Sequence, residues 1–143
     1  MGKLAVIYWS STGNTEAMAN AIVKGAQGVG ADVALFAVAD ISPEQAAGYD
    51  LLALGCPAMG AEVLEEGEFE PFFTQLEGKL AGKKTALFGS YGWGDGQWMR
   101  DWQERTAAAG AQLYRNEGLI INETPDADGI SACESFGAGF AKA

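Results

Sequence analysis

Five short apolar runs, separated by segments with a helical period, restrict what this chain can fold into. The runs are Leu4–Trp9, Val33–Val38, Leu51–Cys56, Thr85–Gly89 and Leu119–Ile121. Apolar and polar residues do not alternate along them, so the strands they predict leave neither face in water, as in parallel strands covered on both sides. Between them, Met18, Ile22, Gly25 and Val29 recur every three or four residues, as do Phe69, Phe72, Phe73, Leu76 and Leu80. Trp98 and Trp102 lie one turn apart, and Ile130, Cys133, Gly137 and Phe140 form a last stripe. Each stripe suits a helix lying on a sheet. The spacing therefore predicts an α/β chain of βαβαβαβαβα order. It is a doubly wound three-layer sandwich on a five-stranded parallel sheet, with right-handed crossovers and ligands at the carboxyl ends of the strands.

Helix start and stop signals agree with this order. Ser42-Pro43-Glu44-Gln45 has the spacing of a capping box with proline at the first helical position. Ser131 and Glu134 repeat the spacing, and Asp128 ahead of them is an equally good cap. Gly30, Gly82 and Gly110 mark the ends between helix and strand. Without an internal repeat, low-complexity tract or linker, residues 1–143 read as one domain, long enough to bury a single core. The opening MGKLAVIYW is read as the first strand rather than a secretory leader. No apolar run approaches the roughly 20 residues of a membrane span.

Charge narrows the partners. Nine basic against 19 acidic side chains give a formal net charge of −10. That excludes nucleic acid and anionic membrane surfaces as partners and makes a basic protein face the natural complement. Histidine is absent, which removes every Ser-His or Cys-His catalytic arrangement. Cys56 and Cys133 are far apart, form no CxxC pair and sit in apolar patterns, so they read as buried reduced thiols of a cytoplasmic protein.

Three unusual loops follow the first, third and fourth runs, and in a parallel sheet they emerge at one end. The first, Ser10-Ser11-Thr12-Gly13-Asn14-Thr15, ends where a helix begins. It has neither the lysine of a Walker A loop nor the glycines of a GxGxxG fingerprint. Free N–H groups, hydroxyls and the helix dipole remain, enough to bind a phosphate without a cation; a polar helix cap is the competing reading. The second loop, residues 57–68, opens Pro57-Ala58-Met59-Gly60-Ala61-Glu62. Met59 suits one face of a flat ring, Gly60 permits two backbone orientations, and Glu62 is placed to accept from a ring N–H. The third loop, residues 89–98, sets Tyr91 and Trp93 among Gly89, Gly92, Gly94 and Gly96. It suits a stacked aromatic ligand whose polar edge meets backbone N–H groups; a tight turn with its aromatics folded inward is the alternative.

Together, S-S-T-G-N-T, G-C-P-A-M-G-A-E and G-S-Y-G-W-G-D-G resemble flavodoxin, more closely its short-chain form from anaerobic bacteria. The resemblance spans the whole chain. It implies strand order 2-1-3-4-5, the flavodoxin-like order that the switch-point rule itself cites. It implies FMN as a non-covalent cofactor. Ser10, Ser11, Thr12, Gly13, Asn14 and Thr15 match the phosphate loop. Pro57 and Ala58 lead into Met59, which with Trp93 matches the pair flanking the isoalloxazine. The Gly60-Ala61 peptide matches one that flips its carbonyl to flavin N5–H, and Glu62 matches the acceptor for N3–H. Ser90, Tyr91, Gly92, Trp93 and Gly94 match the loop on the pyrimidine edge. Two positions depart from close relatives: Ser11 stands where they have glycine, and Ala61 where aspartate, asparagine or serine is common. Residues 111–122 leave no room for the insertion that splits the fifth strand in long-chain members.

The implied function is a low-potential one-electron carrier shuttling between semiquinone and hydroquinone, not an enzyme with its own substrate. Its implied partners are basic-faced redox proteins, such as reductases or ferredoxin-dependent oxidoreductases, met by a monomer. Glu62, Glu65, Glu66, Glu68, Glu70 and Asp95, with no cation in either flanking loop, are expected to disfavour an anionic reduced flavin. The rival is a flavodoxin-like NAD(P)H:quinone oxidoreductase or other FMN-dependent oxidoreductase. A receiver-type signalling domain lacks its acids at Tyr8-Trp9-Ser10, and a phosphatase on Cys56 lacks a clamping arginine.

Overall fold

A computed structural model describes residues 2–143. The strands are β1 (Lys3–Tyr8), β2 (Asp32–Ala37), β3 (Leu51–Gly55), β4 (Lys84–Tyr91), β5 (Gln112–Leu113) and β6 (Leu119–Asn122). The helices are α1 (Asn14–Gly28), α2 (Pro43–Ala47), α3 (Phe69–Leu76), α4 (Gln97–Ala108) and α5 (Ala127–Ala141). Every strand pair is parallel, in the order β2-β1-β3-β4, with β5 and β6 both on the free edge of β4. The doubly wound order 2-1-3-4-5 is therefore present. Its fifth position differs from the single strand expected at Leu119–Ile121. Gln112–Leu113 pairs first, the turn Tyr114–Asn116 leaves the sheet with Arg115 and Asn116 at φ of +60° and +58°, and Leu119–Asn122 pairs again.

The alternation of side chains along each strand builds two cores. Leu4, Val6, Ala53 and Phe88 face α1 and α5, meeting Met18, Ile22, Phe136 and Phe140. Ala5, Ile7, Leu52 and Leu54 face the other way, meeting Phe69, Phe73, Trp98 and Trp102 of α3 and α4. This explains the unbroken apolar runs of β1 and β3. The outer strands β2 and β6 depart from that pattern: Leu35 and Ile120 are exposed, because each strand lies at an edge.

The capping box forms as read, with Ser42 Oγ accepting from the Gln45 N–H and the Gln45 side chain accepting from Ser42 N–H. The last helix starts earlier than its candidate caps: Asp126, not Asp128 or Ser131, accepts from the Gly129 N–H at 2.8 Å. Asp128 is already inside the first turn, where its charge favours the helix dipole. Both cysteines are buried and free. Among the described residues, no helix is long and apolar enough to cross a membrane.

Helices α1 and α5 touch backbone to backbone. A Cβ on Gly25 would run into the Glu134 backbone, and one on Gly137 into the Ile22 backbone. Alanine in a helix interior ordinarily stabilises by about 0.5–1 kcal/mol over glycine. Here the sign is expected to reverse. Gly137→Ala should lower the unfolding free energy by about 1–3 kcal/mol through overpacking, read from urea denaturation. A neutral or stabilised variant would contradict this packing.

Candidate functional site

Helix α1 begins where the hydroxyl run ends. Gly13 takes a left-handed φ of +95° just before it, and a Cβ there would meet nothing within 4 Å. The glycine is needed for conformation, not clearance. Ser10 Oγ turns back and accepts from the N–H groups of Gly13, at 3.2 Å, and Glu16, at 3.3 Å. Among the described residues, nothing accepts from the N–H groups of Ser11, Thr12, Asn14 or Thr15. These donors, with the exposed side chains of Ser11 and Thr12, open a 15-residue helix. Such an end attracts an anion without any formal positive charge.

The three loops are fastened to one another at Ser90. Thr15, 1% exposed, lies with its Oγ1 3.2 Å from Ser90 Oγ, and the Ser90 N–H donates to the same oxygen at 3.4 Å. The Ser90 carbonyl accepts from Ala58 N–H at 3.1 Å. Thr15, counted in the phosphate loop, and Ser90, matched to the pyrimidine-edge loop, thus turn their hydroxyls to each other and join the first and third loops. Trp98 Nε1 donates to the Cys56 carbonyl at 3.1 Å and joins the third loop to the second. A fourth segment, not singled out in the sequence, completes the rim. Glu123 N–H and Asn122 Nδ2 donate to the Tyr91 carbonyl at 2.7 and 3.2 Å, and Thr124 Oγ1 donates to Asn14 Oδ1 at 3.1 Å. The available signal was topological: this segment follows β6, so it leaves the sheet at the same edge.

Half-buried Pro57 and Ala58 carry the chain from β3 into a tight hairpin. Met59 and Val63 pair through two backbone bonds of 2.9 and 3.0 Å, leaving Gly60-Ala61-Glu62 as the turn. Gly60 and Glu62 have φ of +50° and +57°. Gly60 and Ala61 are exposed, and within the described protein neither the Gly60 carbonyl nor the Ala61 N–H has a partner. Glu62 Oε1 is buried and meets no donor. Leaving such an oxygen unpaired costs about 1–3 kcal/mol, more for a charged group, so an N–H brought to this carboxylate would be favoured. The carboxylate lies against Gly94, at φ +83°, where a Cβ would run into it.

The third loop divides its aromatics. Tyr91 is half-buried and packs on Trp98, with ring centroids 5.7 Å apart. Trp93 is 64% exposed, between exposed Gly92 and Gly94. The inward-folded reading holds for Tyr91, and only Trp93 offers a free ring face. Gly89 is required by clearance, since a Cβ would strike the Cys56 carbonyl.

Of the six acids expected near the site, Glu70 and Asp95 are paired with cations, while Glu65 and Glu68 are bound by neutral N–H groups and keep their charge. Glu65 accepts from the N–H groups of Gly67, Glu68 and Phe69 at 2.7, 2.8 and 2.9 Å. Partial burial pushes its carboxyl pKa up, but the N–H bonds outweigh burial and hold it below the usual carboxylate range. Glu68 accepts from Trp9 Nε1 at 3.1 Å. Asp95 pairs with Arg100 at 2.9 Å, so a cation does stand beside the third loop. Arg105 reaches Glu70 at 2.6 Å and Glu77 at 2.9 Å, with its guanidinium 4.8 Å from the Phe73 ring centre. Only Glu62 and Glu66 of the six lack a hydrogen-bond donor among the described residues.

Bonding to Arg105 holds the Glu70 pKa below the ordinary carboxylate value. Stability from that pair is therefore full above the unfolded pKa and lost as pH falls through the lowered folded value. Arg105→Met is expected to cost about 1 kcal/mol at neutral pH, since the pair is partly solvated. The difference from the parent should shrink as urea unfolding is repeated at progressively acidic pH. A pH-independent difference would contradict the electrostatic origin.

The family model described as Flavodoxin matches residues 6–137. The chain is 48% identical to a flavodoxin of Clostridium beijerinckii, over 94% of this chain and 96% of the relative. It is 49% identical to a flavodoxin of Megasphaera elsdenii, over 96% and 98%. The solution structure of the two-electron reduced Megasphaera elsdenii flavodoxin superposes with a TM-score of 0.89 at 48% identity, covering 98% of this chain and 99% of that one.

Proposed function

This chain belongs to the flavodoxin family, and from that premise we propose that it is a cytoplasmic, monomeric one-electron carrier using non-covalently bound FMN. FMN, the cofactor of the family, supplies redox chemistry in two one-electron steps. The observation that carries the reading is the convergence of three features on one sheet edge. They are the free N–H groups of Ser11, Thr12, Asn14 and Thr15 at the start of α1, the exposed ring of Trp93 and the unpartnered carboxylate oxygen of Glu62. A phosphate, a flat ring and a ring N–H answer these three in turn.

The N–H groups of Ser11, Thr12, Asn14 and Thr15 would hold the phosphate, with Ser10 ordering the loop and Gly13 supplying its turn. Trp93 and Met59 would cover the ring, Glu62 would accept from N3–H, and residues 90–94 would border the pyrimidine edge. The uncommitted Gly60-Ala61 peptide is proposed to turn its carbonyl to N5–H and favour a neutral semiquinone. One such bond is worth about 0.5–1.5 kcal/mol, and tenfold in a one-electron equilibrium is about 59 mV. Ala61 brings no side chain that would compete for that carbonyl. Glu62 and Glu66 would then oppose the second electron, and the acidic face would steer a basic redox partner.

The purified protein should be yellow, release FMN on denaturation and pass through a long-wavelength blue species during anaerobic dithionite titration. Direct bleaching would overturn the carrier reading. Rapid NADPH oxidation with a quinone and no reductase would favour the oxidoreductase. A carboxylate placed about 10 Å from the flavin would contribute ~0.4–1.7 kcal/mol, the lower figure in water, and Glu62, held against the ring, would contribute at least as much. Glu66→Gln and Glu62→Gln should each raise the second potential by tens of millivolts, measured by the same titration against a redox dye. An unmoved second potential in both variants would remove these acids from the mechanism.

A further inference from the structure

The hairpin that carries Gly60 and Ala61 is closed at its base by two groups that the proposed function leaves unused. Cys56, at the end of β3, is fully buried, and its Sγ accepts from the Glu65 N–H at 3.4 Å. The thiol donates to the Pro57 carbonyl at 3.6 Å. Burial pushes the thiol pKa up, so Sγ keeps the proton it donates. The same residue's N–H donates to the Phe88 carbonyl at 3.1 Å, and its carbonyl accepts from Trp98. Cys56 is therefore tied to both β4 and α4.

Glu65 carries the closure onward. Its carboxylate binds the three N–H groups at the entrance to α3, and its carbonyl accepts from Glu70 N–H at 2.8 Å. Leu64 beside it is buried in the core. The chain between Cys56 and Glu65 is thus a loop pinned at both ends to rigid elements, with the Met59–Val63 pair across its middle.

We propose that Cys56 and Glu65 form a latch that positions the second loop, so that reorientation is left to the turn peptides Gly60-Ala61 and Ala61-Glu62, the first of which would face the cofactor. Cys56 and Glu65 act here as positioning residues: neither is asked to touch the flavin. The latch rests on the flavodoxin reading only for its effect on redox behaviour; its mechanical part does not need a cofactor. Without the thiol, the loop's base would shift with its turn, and the flip would lose its fixed frame. The N–H to sulfur bond is weak and part-buried, so losing it leaves the Glu65 N–H only partly shielded from water.

The test has two arms. In the apoprotein, amide hydrogen exchange at Glu65 should accelerate about two- to tenfold in Cys56→Ala, the worth of one hydrogen bond, and return toward the parent in Cys56→Ser, whose hydroxyl can accept in place of sulfur. Glu65→Ala should instead accelerate the amides of Gly67, Glu68 and Phe69. In the FMN-loaded protein, Cys56→Ala should change the first one-electron equilibrium by a similar about two- to tenfold, up to about 60 mV, again with rescue by serine. Unchanged exchange at Glu65, or serine behaving like alanine in both arms, overturns the latch. Should Cys56→Ala fail to fold, Glu65→Ala and Cys56→Ser decide the exchange arm alone. Failure of the parent to bind FMN would overturn the functional reading while leaving that arm to judge the latch.

Discussion

A parallel sheet buried on both faces sends every strand-to-helix connection over the same edge, and the rest of this molecule follows from that constraint. Strands β1, β3 and β4 lie side by side, with Tyr8, Gly55 and Phe88 in register. Their loops therefore have no choice but to meet. Meeting requires small residues: a side chain on Gly55 would strike the Phe88 ring, and one on Gly89 the Cys56 carbonyl. It also requires that polar groups brought together under the loops satisfy one another. The buried Thr15 and Ser90 hydroxyls do this, at the point where α1 meets the end of β4.

Electrostatics near the site is more local than net charge suggests. Counting carboxylates along residues 62–70 treats them as one field. Each has its own neighbours, and those neighbours come from far along the chain: Arg105 to Glu70, Trp9 to Glu68, the start of α3 to Glu65. A carboxylate paired with a guanidinium contributes little net potential, whereas one bound only by neutral N–H groups keeps its charge and is weakened by solvent and salt. On the proposed reading the excess of acids would steer partners, while the charge felt inside the site comes from the carboxylates that no cation pairs, Glu62, Glu65, Glu66 and Glu68.

The fold was legible because burial writes itself into runs and stripes. The apolar runs of β1 and β3, the capping box at Ser42 and the helix-ending glycines at 30, 82 and 110 all occur where pattern placed them. The break at Tyr114–Asn116 was not legible, because its left-handed residues are an arginine and an asparagine rather than glycine. Arg115 is held there over the rings of Tyr114 and Phe136, a tertiary contact with no local signature. The start of α5 was missed by one hydrogen bond, since Asp126 and Asp128 offer the same chemistry two residues apart. In the candidate site the motifs located the loops. They could not say that Tyr91 would turn inward while Trp93 stayed out, or that Thr15 and Ser90 would face each other. Those outcomes depend on which helix packs beneath each loop.

Two non-glycine residues on the rim take left-handed backbone, Glu62 in the second loop and Glu123 after β6, each at φ +57°. The first loop contains a single left-handed residue, a glycine, and its bonds run inward from Ser10. The second places left-handed backbone on both sides of Ala61, once at Gly60 and once at Glu62, where a side chain makes that conformation costly by about 1–3 kcal/mol. Yet this turn spans only the gap between two paired residues, and the chain on either side is anchored. A stiff frame around a strained, uncommitted peptide is the arrangement in which a small change in one hydrogen-bond partner can select between two backbone states. A soft frame would spread the same change over the whole loop. On the proposed reading a division of labour follows, in which the first loop would hold the cofactor and the second would respond to it.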